Sequence, residues 1–353
     1  MKPKRPTVAD LGAYDEIIDV RSPAEFAEDH IPGAINCPVL DDAQRIQVGT
    51  LYKQVSPFEA KKIGAALVSE NIARHLKASF LDRPKNWKPL IYCWRGGDRS
   101  GSMTTVFRAI GWSAGQLEGG YKAWRSHVIA SLQDLPRTFD FRVVAGATGS
   151  AKTRVLQAIG QLGEQILDLE TLACHKGSVL GILPDQPQPS QKGFETQLLQ
   201  ALGRLDRTRP VYVEAESRKI GNLHLPDALI ERIRLGECLN IEAGIESRVA
   251  FLLEDYDYFL NRPALLLGRL DALQGLQSRE TLERWRRQVE LGEWPTLVRE
   301  LLELHYDPLY RRSQNHNFTG SSNPQAFATN DLSPAGIAQL ARNLVQSRRA
   351  QMA

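Results

Sequence analysis

Two short stretches of this chain hold residue types suited to chemistry on anions. The first is Cys93-Trp94-Arg95-Gly96-Gly97-Asp98-Arg99-Ser100, a cysteine followed by a glycine turn with two arginines. With a strand before the turn and a helix after it, successive backbone N–H groups and the positive helix end form a concavity for anions. The same field favours the thiolate of Cys93, the form in which cysteine is a nucleophile. Arg95 and Arg99 add positive charge, and the glycines let the loop curl around whatever the sulfur carries. A packed strand-end cysteine beside an ordinary turn is the competing reading. The second stretch, Gly146-Ala147-Thr148-Gly149-Ser150-Ala151-Lys152-Thr153, reads GxxxxAK[ST], one residue away from a Walker A loop. Gly146, Thr148, Gly149 and Ser150 would cradle phosphates, Lys152 would meet their charge, and Thr153 is a candidate to hold Mg²⁺. Ala151 stands where the pattern has glycine. Its methyl group is expected to crowd a phosphate or tilt the loop, which weakens nucleotide hydrolysis as a reading more than phosphate binding.

Two polar clusters follow. In Asp168-Leu169-Glu170-Thr171-Leu172-Ala173-Cys174-His175-Lys176-Gly177-Ser178, alternation would put Asp168 and Glu170 on one side. Asp168 is a second candidate metal ligand, and His175 a candidate general acid or base, with a structural histidine as the alternative. Glu214-Ala215-Glu216-Ser217-Arg218 closes an apolar run, and open α/β sheets bind ligands at the C-terminal ends of their strands. Glu216 is therefore a catalytic candidate and Arg218 a phosphate contact, against the alternative of a surface ion-pair patch.

The elements that must position these residues are legible. Short apolar runs at Glu16–Val20 and Leu90–Cys93 suit buried parallel strands, and helices are expected near Ser100–Ile110 and from Tyr121 to about Leu132. After Asp134-Leu135-Pro136-Arg137 an α/β pattern restarts with strand Phe141–Ala145, a helix from Lys152 to about Leu162 and strand Val211–Val213, while 183–193 reads as a loop. From about Ser247 the pattern changes to long helices: Leu266, Leu270 and Leu273, then Leu297, Leu301 and Leu304, fall at i, i+4, i+7. The polar stretch 315–330 is expected to be loosely held. The expected architecture is α/β, with domains at 1–132 and 133–246 and a helical region at 247–353.

Composition sets bounds. The 353 residues are 42% hydrophobic and 24% charged, which excludes wholesale disorder. Lys and Arg number 44 against 41 Asp and Glu, so the net charge of +3 excludes a polybasic nucleic-acid coat but not a local basic site. The longest apolar runs fall short of the roughly 18 residues a membrane span needs. No secretory signal is apparent, and four cysteines without a CxxC pair form neither a zinc knuckle nor a disulfide framework. A cytoplasmic protein is expected. In the helical region, Trp285-Arg286-Arg287, His305-Tyr306 and Tyr310-Arg311-Arg312 interleave basic and aromatic residues. Arginines there would contact RNA phosphates and aromatics would stack on unpaired bases, with a solvated helix face as the alternative.

Asp19-Val20-Arg21-Ser22-Pro23-Ala24-Glu25-Phe26, His30-Ile31-Pro32-Gly33-Ala34-Ile35-Asn36, the Cys93 loop and Leu117-Glu118-Gly119-Gly120-Tyr121-Lys122-Ala123-Trp124 together resemble a rhodanese domain over about residues 10–130. The resemblance implies that Cys93 carries sulfur or selenium as a per-chalcogenide. Cys37, without an anion loop, is assigned to packing. With Leu172–Ser178 and Glu216-Ser217-Arg218-Lys219-Ile220-Gly221 in this order beyond a P-loop, residues 10–310 resemble the tRNA 2-selenouridine synthase family. That resemblance implies wobble 2-thiouridine in the tRNAs for Lys, Glu and Gln as substrate. It also implies geranyl diphosphate and selenophosphate as co-substrates, an enzyme supplying selenophosphate as a partner, and no tightly bound cofactor, with Mg²⁺ a candidate only through the P-loop pattern. The rival function is a thiosulfate sulfurtransferase with a P-loop regulatory domain.

Overall fold

Segments of two to four residues, too short for helices and apolar chiefly in β1 and β3, form the first sheet: β1 (Glu16–Asp19), β2 (Ile35–Asn36), β3 (Pro89–Tyr92) and β4 (Gly115–Gln116). The computed structural model describes residues 5–317 and 325–352. All neighbours are parallel in the order β2-β1-β3-β4, with Ile18 in register with Ile35 on one side and Ile91 on the other. Because parallel neighbours need crossovers, helices carry the chain between strands and bury both faces. Ile18, Val20, Ile91, Met103 and Phe107 form the centre of this core with Trp87 and Trp112. Cys37 packs there as expected, and burial pushes its thiol up to about 12.

This sheet contains a buried charge. Arg21 and Asp19 are 1% and 0% exposed and share three hydrogen bonds of 2.6–3.0 Å. The Arg21 guanidinium also donates to the Asp29 carbonyl at 2.6 Å and lies over the Tyr121 ring at 3.9 Å, while the Tyr121 hydroxyl donates to Asp29 at 2.7 Å. Removing one partner strands the other charge, a loss of about 3–5 kcal/mol for buried pairs. Arg21→Ala should therefore shift the first urea transition of the full chain by about that amount. An unchanged midpoint would refute the network's structural role.

The second sheet has the order β11-β10-β5-β7-β6, also all parallel, from β5 (Phe141–Gly146), β6 (Gln165–Leu167), β7 (Val211–Glu214), β10 (Glu237–Ala243) and β11 (Gln325–Thr329). β8 (Lys219–Ile220) and β9 (Leu223–His224) form a separate antiparallel pair. The chain leaves β5 toward β6 and β7 on one side and later returns to β10 on the other, so the end of β5 is a topological switch point, where such sheets bind ligands. Helices Lys152–Gln161 and Pro334–Met352 cover one face through Val155, Ile159, Leu340 and Leu344. The chain divides into two units: residues up to Ser131 with Ser190–Thr196, and Leu132–Pro189 with Gln197 onward.

Three expectations change. Residues 325–329 of the supposedly loose polar stretch form β11, whose register with β10 runs from Leu239↔Gln325 to Ala243↔Thr329; 318–324 lie outside the described residues. The helices between Gly244 and Leu301 are short, Ile245–Asp255, Asp257–Asn261, Pro263–Leu270, Arg279–Leu291 and Trp294–Leu301. Pro263 and Pro295 each lack an N–H and sit in a first helical turn, where that group is not needed. Finally, Leu266, Leu270, Leu273, Leu297 and Leu301 are buried as expected, but Leu304 is 45% exposed. A π-helical turn, Leu302–Tyr306, inserts one residue into the period and rotates His305 inward in its place.

Candidate functional site

In the first unit, Cys93 stands at the C-terminal end of β3, where the helix Asp98–Ile110 begins. The carbonyls of its loop are occupied: Cys93 and Trp94 accept from the Tyr121 and Lys122 amides at 2.8 and 3.0 Å, and Gln116 donates to Gly96 and Gly97. The amides of Arg95, Gly96 and Gly97 have no protein acceptor among the described residues, which is the arrangement an anion cup requires. Gly120 has φ +58°, and a Cβ there would lie 2.2 Å from the Cys93 carbonyl oxygen, so glycine lets the two motifs meet. Cys93 Sγ lies 3.2 Å from Ser100 Oγ, which also accepts from Gln116 at 3.0 Å. With the hydroxyl turned to sulfur, Ser100 would donate to a thiolate.

Cys93 is 3% exposed, so a donor anion must reach it inside the loop rather than on open surface. Arg95 is exposed. Arg99 is partly committed elsewhere, donating to Glu25 at 2.7 Å. Burial opposes the Glu25 charge, yet Arg99 holds its carboxyl below the usual range. Arg5, which the sequence reading did not single out, donates to the Gly96 carbonyl at 3.1 Å.

In the second unit, the loop after β5 forms one wall of a cavity of about 550 Å³. The amides of Thr148, Gly149 and Lys152 have no protein acceptor among the described residues, and Lys152 Nζ lies across the mouth, donating to the Gly146 carbonyl at 3.0 Å. Ala151 adopts the left-handed conformation (φ 59°, ψ 28°) that glycine takes without strain, at a cost of about 1–2 kcal/mol. It is 4% exposed and belongs to the apolar core with Val155 and Leu156, so packing holds the turn that glycine would otherwise supply. Arg248 braces the loop, donating to the Thr148 carbonyl at 2.8 Å while its guanidinium grips Asp307 at 2.6 and 3.1 Å. Ser150 is buried and does not line the cavity.

Glu170, Glu214 and Glu216 converge on this cavity, with one oxygen of each within 4.8 Å of the others. Burial, reinforced by the neighbouring carboxylates, pushes Glu170 up to about 7 and Glu216 up to about 8, and holds Glu214 well above the ordinary range. Thr153 donates to Glu170 at 2.9 Å. Asp168 is not on their side: a helical turn, Leu169–Ala173, replaces the expected alternation, and Asp168 caps it by accepting from the Thr171 amide at 2.8 Å. His175 is 4% exposed, its Nδ1 is buried without a partner, and burial lowers its pKa, leaving a neutral ring on the cavity wall. Lys176 also lines the cavity, paired with Asp255 at 2.6 Å and lying 4.3 Å over the Tyr256 ring.

A narrow apolar cleft of about 70 Å³, lined by Leu253, Phe259, Leu266, Leu297 and Leu301, adjoins the cavity. Thr148, Ser178, Leu252, Tyr256 and Tyr306 line both spaces. The sequence reading missed this junction, along with Glu170, Glu214 and Lys176 as acting together. Only the π turn that carries Tyr306 and His305 inward could have marked it, and that turn is not written in the leucine spacing.

Other predicted residues stand apart. Arg218 is outside the cavity, ion-paired with Asp227 at 2.9 Å. Trp285 is fully buried in the helical core and cannot stack on a base. Arg286 pairs with Asp271 at 2.5 Å, and Arg287, Arg311 and Arg312 are exposed. Tyr310, by contrast, lines the P-loop cavity, and its hydroxyl donates to Asn240 at 3.2 Å. Among the described residues, no helix is long and apolar enough to cross a membrane.

Comparison with known proteins agrees with this architecture. Residues 7–127 match the model of the rhodanese-like domain and 139–279 that of the tRNA 2-selenouridine synthase AAA domain. A tRNA 2-selenouridine synthase of Alcanivorax borkumensis is 34% identical over 342 residues, 86% of this chain and 92% of that one. The same-named proteins of Nitrosomonas europaea and Marinobacter nauticus are 36% and 38% identical; each match covers 68% of this chain, and 63% and 65% of those proteins respectively. An N-terminal rhodanese-like fold, a P-loop fold and a helical region in this order, with identity extending across most of the chain, place it in the tRNA 2-selenouridine synthase family.

Proposed function

We propose that this protein converts wobble 2-thiouridine in tRNA to 2-selenouridine in two steps, through an S-geranyl intermediate. A thiocarbonyl sulfur is a poor leaving group, whereas an S-alkylated one departs as a neutral thiol once protonated. In the first step sulfur attacks the allylic carbon of geranyl diphosphate. A C–S bond forms, the C–O bond to diphosphate breaks, and N3 of the base gives up its proton. The P-loop amides and Lys152 take the charge that develops on the departing diphosphate, and His175, neutral on the wall, is the acceptor for the proton. In the second step the selenium of selenophosphate, held in the Cys93 loop, adds at C2, its proton passes to the geranyl sulfur and the geranyl thiol leaves; water then cleaves the Se–P bond, phosphate departs and N3 regains its proton.

The observation that carries this reading is the junction itself: a phosphate cradle that opens into an apolar cleft through Thr148, Leu252 and Tyr256. Such a pairing suits a diphosphate with a hydrocarbon tail better than a nucleotide, whose base and sugar are polar. Of the leucines near 266, Leu266 lines the cleft, while Leu265 and Leu267 pack in the helical core.

Nucleoside mass spectrometry of 2-thiouridine tRNA tests it. Geranyl diphosphate alone should give the S-geranyl nucleoside, and both co-substrates together the seleno-nucleoside. Thiosulfate-to-cyanide turnover with unmodified tRNA would instead support the sulfurtransferase. Val298, half-buried on the cleft wall, gives a finer test. Val298→Trp should exclude about two methylene-sized groups, worth roughly 0.8 kcal/mol each. KM for geranyl diphosphate should rise about tenfold while inhibition by inorganic diphosphate stays unchanged. Equal weakening of both would place the tail elsewhere.

A further inference from the structure

We propose that Gly221 and Gln188 are positioning residues for His175, an inference that rests on its role as proton acceptor. His175 lines the P-loop cavity, is 4% exposed, and has no hydrogen-bond partner for Nδ1 among the described residues. No bond through that nitrogen fixes the ring, so packing must. The packing comes from the turn of the β8–β9 hairpin, where Ile220 pairs with Leu223 and only Gly221 and Asn222 lie between. Gly221 has φ +57°, which glycine adopts readily as the first residue of a tight hairpin turn. A Cβ there would stand 2.8 Å from His175 Cδ2 and 2.2 Å from Gln188 Oε1. The turn's backbone therefore lies against imidazole and amide alike, with no room for a side chain.

Gln188 ties that turn to the segment carrying the histidine. Its amide nitrogen donates to the Ile220 carbonyl at 3.0 Å and to the Ala173 carbonyl at 3.2 Å, and its oxygen accepts from the Asn222 amide at 2.8 Å. Both of its N–H groups and its oxygen are thereby engaged. Ala173 ends the helical turn Leu169–Ala173, and Cys174, left-handed at φ 48°, swings the chain from there into His175. Gln188 stands between Pro187 and Pro189. A residue before proline is kept out of the helical region and proline fixes its own φ, so this backbone has little freedom to lose when it presents the amide. Lys219–Gly221 and the proline-rich loop 183–193 thus share one purpose, the placement of an imidazole.

The test is a double-mutant cycle on single-turnover geranyl transfer to 2-thiouridine tRNA. It is read beside the histidine ring resonances of the full chain in nuclear magnetic resonance, where His175→Ala assigns the peak. Gly221→Ala should slow transfer about 10²-fold, the scale for displacing a reacting group by an ångström, with geranyl diphosphate affinity within about twofold of wild type. It should also move the His175 resonance. Gln188→Ala removes atoms and crowds nothing, so it should fold and change both readouts in the same direction to a lesser extent; it carries the comparison should Gly221→Ala not fold. His175→Ala should itself lose about 10²–10⁴-fold, the range for a general base, which leaves a rate to measure. In that background neither substitution should cost anything further, because residues that act as a unit are not additive. Losses that add there, or an unmoved His175 resonance, overturn the positioning role. Wild-type transfer by His175→Ala, or none by the native protein, overturns the proton-acceptor reading instead. The resonance alone then decides whether Gly221 and Gln188 hold the ring: a moved peak upholds it and an unmoved one ends it.

Discussion

Cys93→Ala is expected to abolish the exchange of sulfur for selenium while 2-thiouridine is still geranylated, so S-geranyl tRNA accumulates. The substitution removes one sulfur atom from a loop whose form does not depend on it. The loop carbonyls are held by Tyr121, Lys122 and Gln116, and the tight approach to Gly120 is between backbones. The variant should therefore fold and keep an empty anion cup. Among the described residues, the only polar contact through the lost atom is with Ser100, which retains Gln116 as donor. The P-loop cavity is lined entirely by residues of the second unit, so geranyl transfer has no need of the thiol. Mass spectrometry of tRNA incubated with both co-substrates checks the division. Seleno-nucleoside formed by the variant, or loss of both products in a folded variant, would end the assignment of Cys93 to the second step.

Lys152→Ala is expected to have the opposite effect, lowering geranyl transfer by about 10²–10³-fold, the scale for removing one donor from a preorganised anion site. Among the described residues Lys152 Nζ donates only to the carbonyls of Gly146 and Ala147, with Glu170, Glu214 and Glu216 as charged neighbours, so its loss strands no buried donor and the fold should survive. The charge is needed most as the C–O bond breaks and negative charge grows on diphosphate, so kcat should fall more than KM rises. Pre-geranylated tRNA offered to the same variant should still be selenated. A loss confined to KM would mean that Lys152 merely gathers the anion, and unchanged geranyl transfer would remove the P-loop from the reaction.

Both loops were legible because each is contiguous. An anion cup is made of successive amides, glycines that permit a tight turn, and the helix that follows, all of it local backbone geometry within about ten residues. The strands that carry the loops were equally local, since a short apolar run bounded by turn residues has few other places to go. The helix that turns Asp168 away from Glu170 was already less certain, because alternation and a single helical turn differ by only a few residues.

The rest was decided by packing. Glu170 and Glu214 are separated by more than forty positions, and they meet only because β7 inserts between β5 and β6. Ala151 breaks the Walker pattern on paper, yet core burial of the residue holds it in the turn that glycine would take. The leucine spacing pointed Leu304 inward; one π turn exposed it and put His305 and Tyr306 beside the cavity instead. Residues 325–329 lack strong apolar character, but the open edge of β10 offers them a ladder of unpaired amides and carbonyls, and they become a strand. Thus the chain's own order of residues determined the two loops whose amides converge as in anion cups. Which acids share a site, and where the apolar cleft opens, depended on contacts between segments distant in sequence.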